Sequence, residues 1–337
     1  MNFTDFEYGR WLPFTAKLPL SLGACLSFSR GILNANFDRD WRSIALGNAF
    51  VRSKTKRALW EIQSSSSSIC FCKSFNNFEK HSSLYERFVY AAYEEWQGNL
   101  IIENRLSEMS FKGEEYHQLM PDQAIIATIH YDSPMLGLVK LGDWGRPICA
   151  LSSNIIQDPR VPVTIKSYFH NKYKAMADHW HGGQCMSKED QMRHFVSASK
   201  RGYSLAVFCD VPGSRIAIEQ NETSNISDRE EDVRSETVGQ VTKGEKGIWV
   251  DFLGRRRLVA PVIPKLMGLL KLPIVGMICK RIKYNMYVIE FSTVFNADDP
   301  DLATQHLYDF FSEKIFDKPG SWWASDLLAD YPVTDMA

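Results

Sequence analysis

Residues 124–134 read AIIATIHYDSP. An unbroken apolar run of strand length, ending in a histidine, is what a strand covered on both faces requires. Ser133-Pro134 then suits a helix start, with Ser133 at the N-cap and Pro134 in the first helical position. The same punctuation recurs at 204–213, SLAVFCDVPG, where a strand runs into Asp210 and a Pro-Gly turn. Around these two stretches the apolar spacing predicts helices over 134–141, 161–175 and 188–200, and a strand over 147–151. Further on it predicts a helix over 261–270, strands over 274–279 and 286–291, and a helix over 301–316. Continuous apolar strands alternating with helices make the fold class α/β, with a mostly parallel central sheet flanked by helices.

Upstream, residues 11–28 are apolar but broken by Pro13, Lys17 and Pro19, which argues against a membrane-spanning helix. A helix over 20–33 is expected, either lying on a membrane surface or packed into the core. Helices are also expected over 41–63 and 83–104, with the serine run at 64–68 as a loop between them. The organisation expected is an N-terminal helical region over 1–80 and an α/β domain over 81–337. That domain carries a polar, acidic insert at about 219–246.

The chain has 337 residues, 45% hydrophobic and 23% charged, which excludes a disordered, collagenous or coiled-coil protein. Its 39 basic and 40 acidic residues argue against a nucleic-acid partner. Seven cysteines without a secreted-scaffold spacing read as reduced thiols of a cytoplasmic protein. Asp5 and Glu7 precede the apolar part, unlike an ordinary signal peptide. No phosphate-binding loop, dinucleotide fingerprint or nucleophile elbow is present.

His130 at a strand's carboxyl end is placed as a general base, because ligands of open α/β sheets sit there. Asp132 and Asp210 are the candidate acids that would orient it. His170, His179, His181, Cys185 and His194 are of zinc-ligand type but match no standard spacing, and Cys70-x-Cys72 lacks a second pair, so no metal is assigned.

The order of these features resembles the bacterial lauroyl/myristoyl acyltransferases of lipid A synthesis, within the lysophospholipid acyltransferase superfamily. The likeness runs from Arg42 and Asn48-Ala49-Phe50, through His130, Lys200-Arg201-Gly202 and Asp210, to Asp251-Phe252-Leu253-Gly254 and Pro319-Gly320-Ser321-Trp322-Trp323. It implies transfer of an acyl group from an acyl or peptidyl carrier protein, or from coenzyme A, with the thioester as donor and no cofactor. In that family an acid stands five positions after the histidine, where this chain has Met135. Asp132, Asp210 or Asp143 is then the expected replacement. The family's arginines after the second strand are Ser152-Ser153-Asn154 here, and its closing His-Arg-Arg is Asp326-Leu327-Leu328. Loss of these phosphate-binding groups implies a non-phosphorylated small-molecule acceptor, an amine or a hydroxyl, and a place in secondary-metabolite biosynthesis is expected. Tyr131, Ser133, Asn154, Arg255 and Trp322 are the expected substrate contacts. Arg255-Arg256-Arg257 is the expected basic patch for an acidic carrier. Apolar side chains of the helix at 261–270 and the Trp322-Trp323 pair are candidates to line an acyl groove, the alternative being plain core, which is the reading for Leu266 and Leu269.

Overall fold

The computed structural model describes residues 3–40, 51–69, 77–152, 155–187, 191–210 and 247–334. The polar insert at 219–246 lies outside the described residues, as do Arg42, Asn48 to Phe50, Cys70, Cys72, Ser153, Asn154 and the Pro212-Gly213 turn.

A seven-stranded sheet forms the centre. Its strands are β1 (Ser110–Lys112), β2 (Ile125–Asp132), β3 (Ile148–Ser152), β4 (Cys185–Ser187), β5 (Ser204–Phe208), β8 (Ile274–Lys283) and β9 (Met286–Phe295), in the order β1-β9-β8-β2-β5-β3-β4. Every pairing is parallel except β8 with β9. The fold is therefore α/β and mostly parallel. Strands β6 (Ile248–Phe252) and β7 (Arg255–Val259) form a separate antiparallel hairpin. Its tight turn is Leu253-Gly254, both at positive φ, a conformation that only the glycine takes without steric cost.

Alternate residues of β2 enter opposite layers, as a strand with a side-chain period of two must. Ile126 packs with Leu138 of helix α7 (Pro134–Asp143) and with Ile165 and Met176 of α8 (Val163–Asp178). Ile125, Ala127 and Ile129 pack on the other face with Phe195 of α9 (Met192–Ser199), Ile263 of α10 (Val262–Leu270) and Phe311 of α11 (Pro300–Asp317). Both faces are covered, so the continuous apolar run of β2 has water on neither side.

The N-terminal region is helical. α1 (Phe3–Phe6), a π-helical turn over Glu7–Trp11 and α2 (Leu12–Lys17) form one arm. After Pro19 the chain returns as α3 (Leu20–Phe37), and then continues into α4 (Val51–Ile69) and the 26-residue α5 (Asn77–Ile102). A one-turn helix α6 (Glu114–His117) precedes β2. The expected loop at 64–68 is a correction: the helix runs through it. Ser64 Oγ donates to the Trp60 carbonyl one turn back at 2.8 Å, so the side chain is satisfied without leaving the helix.

Strand β2 departs from ideal pairing at one place. It matches β8 residue for residue from Ile125 to Thr128, and then the register slips before Asp132 meets Cys279. In that gap Tyr131 bridges Trp322 instead, and the Trp323 N–H donates to the His130 carbonyl at 3.0 Å. Where pairing with β5 ends at Phe208, the end of β2 takes a partner from the far end of the chain.

α3 lies so close to α5 that a Cβ on Gly31 would stand 2.5 Å from the Val89 Cα. Gly31→Val should therefore destabilise the protein by about 1–3 kcal/mol in urea unfolding. Gly268→Ala, on a helix with open space around it, should be neutral or stabilise by about 0.5–1 kcal/mol.

Candidate active site

β2 and β5 are parallel neighbours with Thr128 opposite Phe208. Two residues further on, each strand delivers an ionisable side chain to the same level and the same face: His130 from β2 and Asp210 from just past β5. His130 Nδ1 lies 2.8 Å from Asp210 Oδ1. The other carboxylate oxygen accepts the His130 backbone N–H at 2.8 Å and the Trp322 indole N–H at 2.8 Å. A carboxylate can only accept, so Nδ1 carries the proton, and in the neutral ring Nε2 keeps its lone pair. Among the described residues nothing hydrogen-bonds Nε2. The Asp210 side chain is fully buried, while that of His130 is 21% exposed.

The imidazole is also clamped by rings. Phe208 stacks on it with centroids 4.4 Å apart, and Trp323 meets it edge-on at 4.6 Å. Among the described residues the buried Trp323 indole N–H has no partner. Burial pushes the Asp210 carboxyl upward. The His130 charge and the bonds from His130 and Trp322 outweigh that push and hold it below the ordinary carboxylate range.

The segment carrying the two tryptophans is anchored from below. Fully buried Arg87 of α5 donates to Asp326 at 2.9 Å and to Asp40 at 2.9 Å. Asp326 is thus a structural partner of an interior arginine.

Asp132 does not reach the imidazole. It takes a left-handed conformation, with φ 53°, which aspartate tolerates. Its carboxylate accepts the Ser133 hydroxyl and the Arg281 backbone N–H, each at 2.8 Å. Burial raises its pKa, against the pull of Arg281. The geometry gives the orienting position to Asp210 alone. Ser133 makes no capping bond; its hydroxyl is turned to Asp132, accepts Gln97 Nε2 at 3.0 Å, and is buried. Tyr131 is buried on the opposite face and donates to the Lys314 carbonyl at 3.1 Å. Neither is open to a substrate. Trp322 is fully buried against Asp210, so it positions the acid and lines no groove.

Met135 packs half-buried against the core. Asp143 sits at the other end of α7 and pairs with His179 at 2.7 Å, while His181 Nε2 lies 3.0 Å from the Gly142 carbonyl. Among the described residues no three metal-ligand side chains converge.

The arginine triplet is not one solvated patch. Arg257 is buried, with bonds to Glu61 at 2.5 Å and the Phe252 carbonyl at 3.1 Å. Arg255 is exposed but leans 3.2 Å from the same Glu61. Leu266 is core, whereas Leu269 is 66% exposed.

Three residues at the site were not singled out for the roles they hold: Phe208 and Trp323 as ring clamps, and Trp322 as a donor to the acid. The Trp-Trp pair is visible in sequence. Nothing local shows that it returns to a strand end across 112 residues from Asp210.

No protein-family model matches the chain, and no curated protein matches it.

Asp210→Ala would leave three donors facing a buried void and should cost about 3 kcal/mol or more in urea unfolding. The folded pKa of Asp210 is depressed, so its stabilisation is present above the unfolded value of about 4 and is lost as pH falls through the folded value. The stability gap between wild type and Asp210→Asn should accordingly shrink as pH drops below about 4.

Proposed function

We propose that the protein is an acyltransferase that uses His130 as general base. It moves an acyl or peptidyl group from a carrier-protein or coenzyme A thioester to an amine or hydroxyl of a non-phosphorylated acceptor. The observation that carries this reading is the His130–Asp210 pair, with Nδ1–H held by a buried carboxylate and Nε2 left open. A histidine held in this way is the base–orienter arrangement of acyl transfer.

In the step proposed, Nε2 takes the proton of the acceptor X–H as X attacks the thioester carbonyl carbon. The X–C bond forms and the carbonyl π electrons move onto oxygen. Collapse of that tetrahedral species breaks the C–S bond, and the imidazolium returns its proton to the departing sulfur. The imidazolium is stabilised while it exists by the Asp210 carboxylate beside it.

The resemblance to the lipid A acyltransferases agrees with this reading. Met135 stands where that family has its acid, and the neighbouring strand supplies an acid to the same imidazole through Asp210. The absence of a phosphate-binding arginine at Asp326, which is committed to Arg87, favours an acceptor without phosphate. The five described cysteines are unpaired, which supports placement in the cytoplasm, and we place the enzyme at the inner face of the cell membrane. No described helix is long and apolar enough to cross a membrane.

Intact mass spectrometry of acyl-loaded carrier protein, incubated with the enzyme and an amine or alcohol mixture, tests the reading. Wild type should unload the thioester and give an acceptor product. His130→Ala should slow this by about a hundredfold to ten-thousandfold. A His130→Ala rate equal to wild type would overturn the assignment.

A further inference from the structure

Helix α4 buries one side and turns a charged one outward. Val51, Thr55, Ala58, Leu59 and Ile62 are buried, and Ala58 and Ile62 pack in the same layer as Trp322 and Tyr331. The opposite side carries Ser53, Lys56, Arg57, Trp60 and Ser64, which recur at three and four residues and are all exposed. It holds bases and no acid, whereas a solvated helix face ordinarily mixes both signs.

The imbalance is local. Residues 41–78 contain Arg42, Arg52, Lys54, Lys56, Arg57 and Lys73 against Glu61 alone, in a chain whose net charge is −1. That one acid is already held by two guanidiniums of β7, Arg257 at 2.5 Å and Arg255 at 3.2 Å. Lys54 leans 3.8 Å from Asp330. Among the described residues Lys56 and Arg57 have no ion-pair partner. One turn further along the same face stands Trp60, 62% exposed. Tryptophan and arginine are the side chains most enriched where protein interfaces concentrate their binding energy.

Charge and shape together select the partner. A bilayer takes up a continuous apolar stripe, and Trp60 has only serines and cations beside it. A nucleic acid calls for a basic domain, and the chain as a whole is near neutral. The complement of this face is an acidic protein surface with room for one indole between its carboxylates. The position gives such a partner a use. Asp330, which faces Lys54, ends the short 3-10 helix Ser325–Asp330. That helix begins two residues after Trp323, whose backbone N–H holds the His130 carbonyl.

We propose that the outer face of α4, with Lys56, Arg57 and Trp60 at its centre and Arg255 at its edge, is the docking surface for an acidic carrier protein that delivers the thioester on its flexible arm. The proposal rests on the thioester-donor reading given above, and within it selects the carrier protein over coenzyme A.

Two donors of one acyl group test it: dodecanoyl-loaded acyl carrier protein, and dodecanoyl N-acetylcysteamine, which has the thioester and no carrier. Lys56→Glu combined with Arg57→Glu should raise KM for the carrier-bound donor about tenfold or more with kcat unchanged, and leave the N-acetylcysteamine rate at the wild-type value. Trp60→Ala should raise the same KM about fivefold or more. Salt should raise the wild-type KM and change that of the double variant much less. A carrier with surface acids changed to lysine should recover affinity for the double variant. Lys174→Glu, exposed on α8 at the other side of the sheet, should behave as wild type. Thermal melts confirm that these surface changes leave the fold intact. Titration of His130→Ala protein with the loaded carrier reads docking without turnover, and it should bind as wild type does. Carrier binding of that kind, with neither donor turned over by wild type, would sink the acyl-transfer reading and leave the docking surface standing. A double variant with wild-type carrier KM and affinity overturns the proposal. So does a wild-type protein that does not bind the loaded carrier, whatever its rate with the small thioester.

Discussion

A buried carboxylate with three donors organises the catalytic end of the molecule. Removing an aspartate from water costs several kcal/mol unless its lone pairs are filled. Asp210 fills them with the imidazole and backbone N–H of His130 and with the indole of Trp322. The parallel register of β2 and β5 sets both the imidazole and the backbone N–H of His130 level with the acid, and the bridge from Tyr131 to Trp322 brings the indole. Without the carboxylate these three groups have no common reason to meet.

Helix α5 carries that arrangement to the rest of the protein. Along one helix, Arg87 holds Asp326 behind the tryptophan segment, Trp96 holds the N-terminal hairpin, and Gln97 donates to Ser133 and to Tyr287 at 3.0 Å each. The turn that follows His130 is therefore fixed through Gln97, Ser133, Asp132 and the Arg281 backbone. Asp132 gives up contact with the base and takes the structural task of holding the strand-to-helix corner. The same helix thus seats both the turn after the base and the N-terminal hairpin.

The α/β class, the mostly parallel sheet and the strands ending in His130 and at Asp210 were legible because apolar runs bounded by Ser-Pro and Pro-Gly are local signals. The choice between Asp132 and Asp210 was not local. Separation along the chain favours Asp132, whereas strand pairing favours Asp210, and only the order of β2 beside β5 decides it. Tyr131 was misread for a related reason: alternate residues of a strand face opposite layers, so the neighbour of an open histidine is buried. Short β1 and β4 carry too few residues to show a period. The serine run looked like a loop because serine competes with helix formation, yet Ser64 bonds back to its own helix. Arg257 shows that a basic triplet on a strand alternates too, with its third member inward on Glu61.

The central claim is that Asp210 holds the proton of His130 on Nδ1 and leaves Nε2 as the base. Nitrogen-15 NMR of the His130 ring in the intact protein, above the pH at which the ring is neutral, measures this directly. The account predicts a protonated Nδ1 and a bare Nε2 in wild type, and loss of that preference in Asp210→Asn. A neutral ring carrying its proton on Nε2 in the wild-type protein would contradict it.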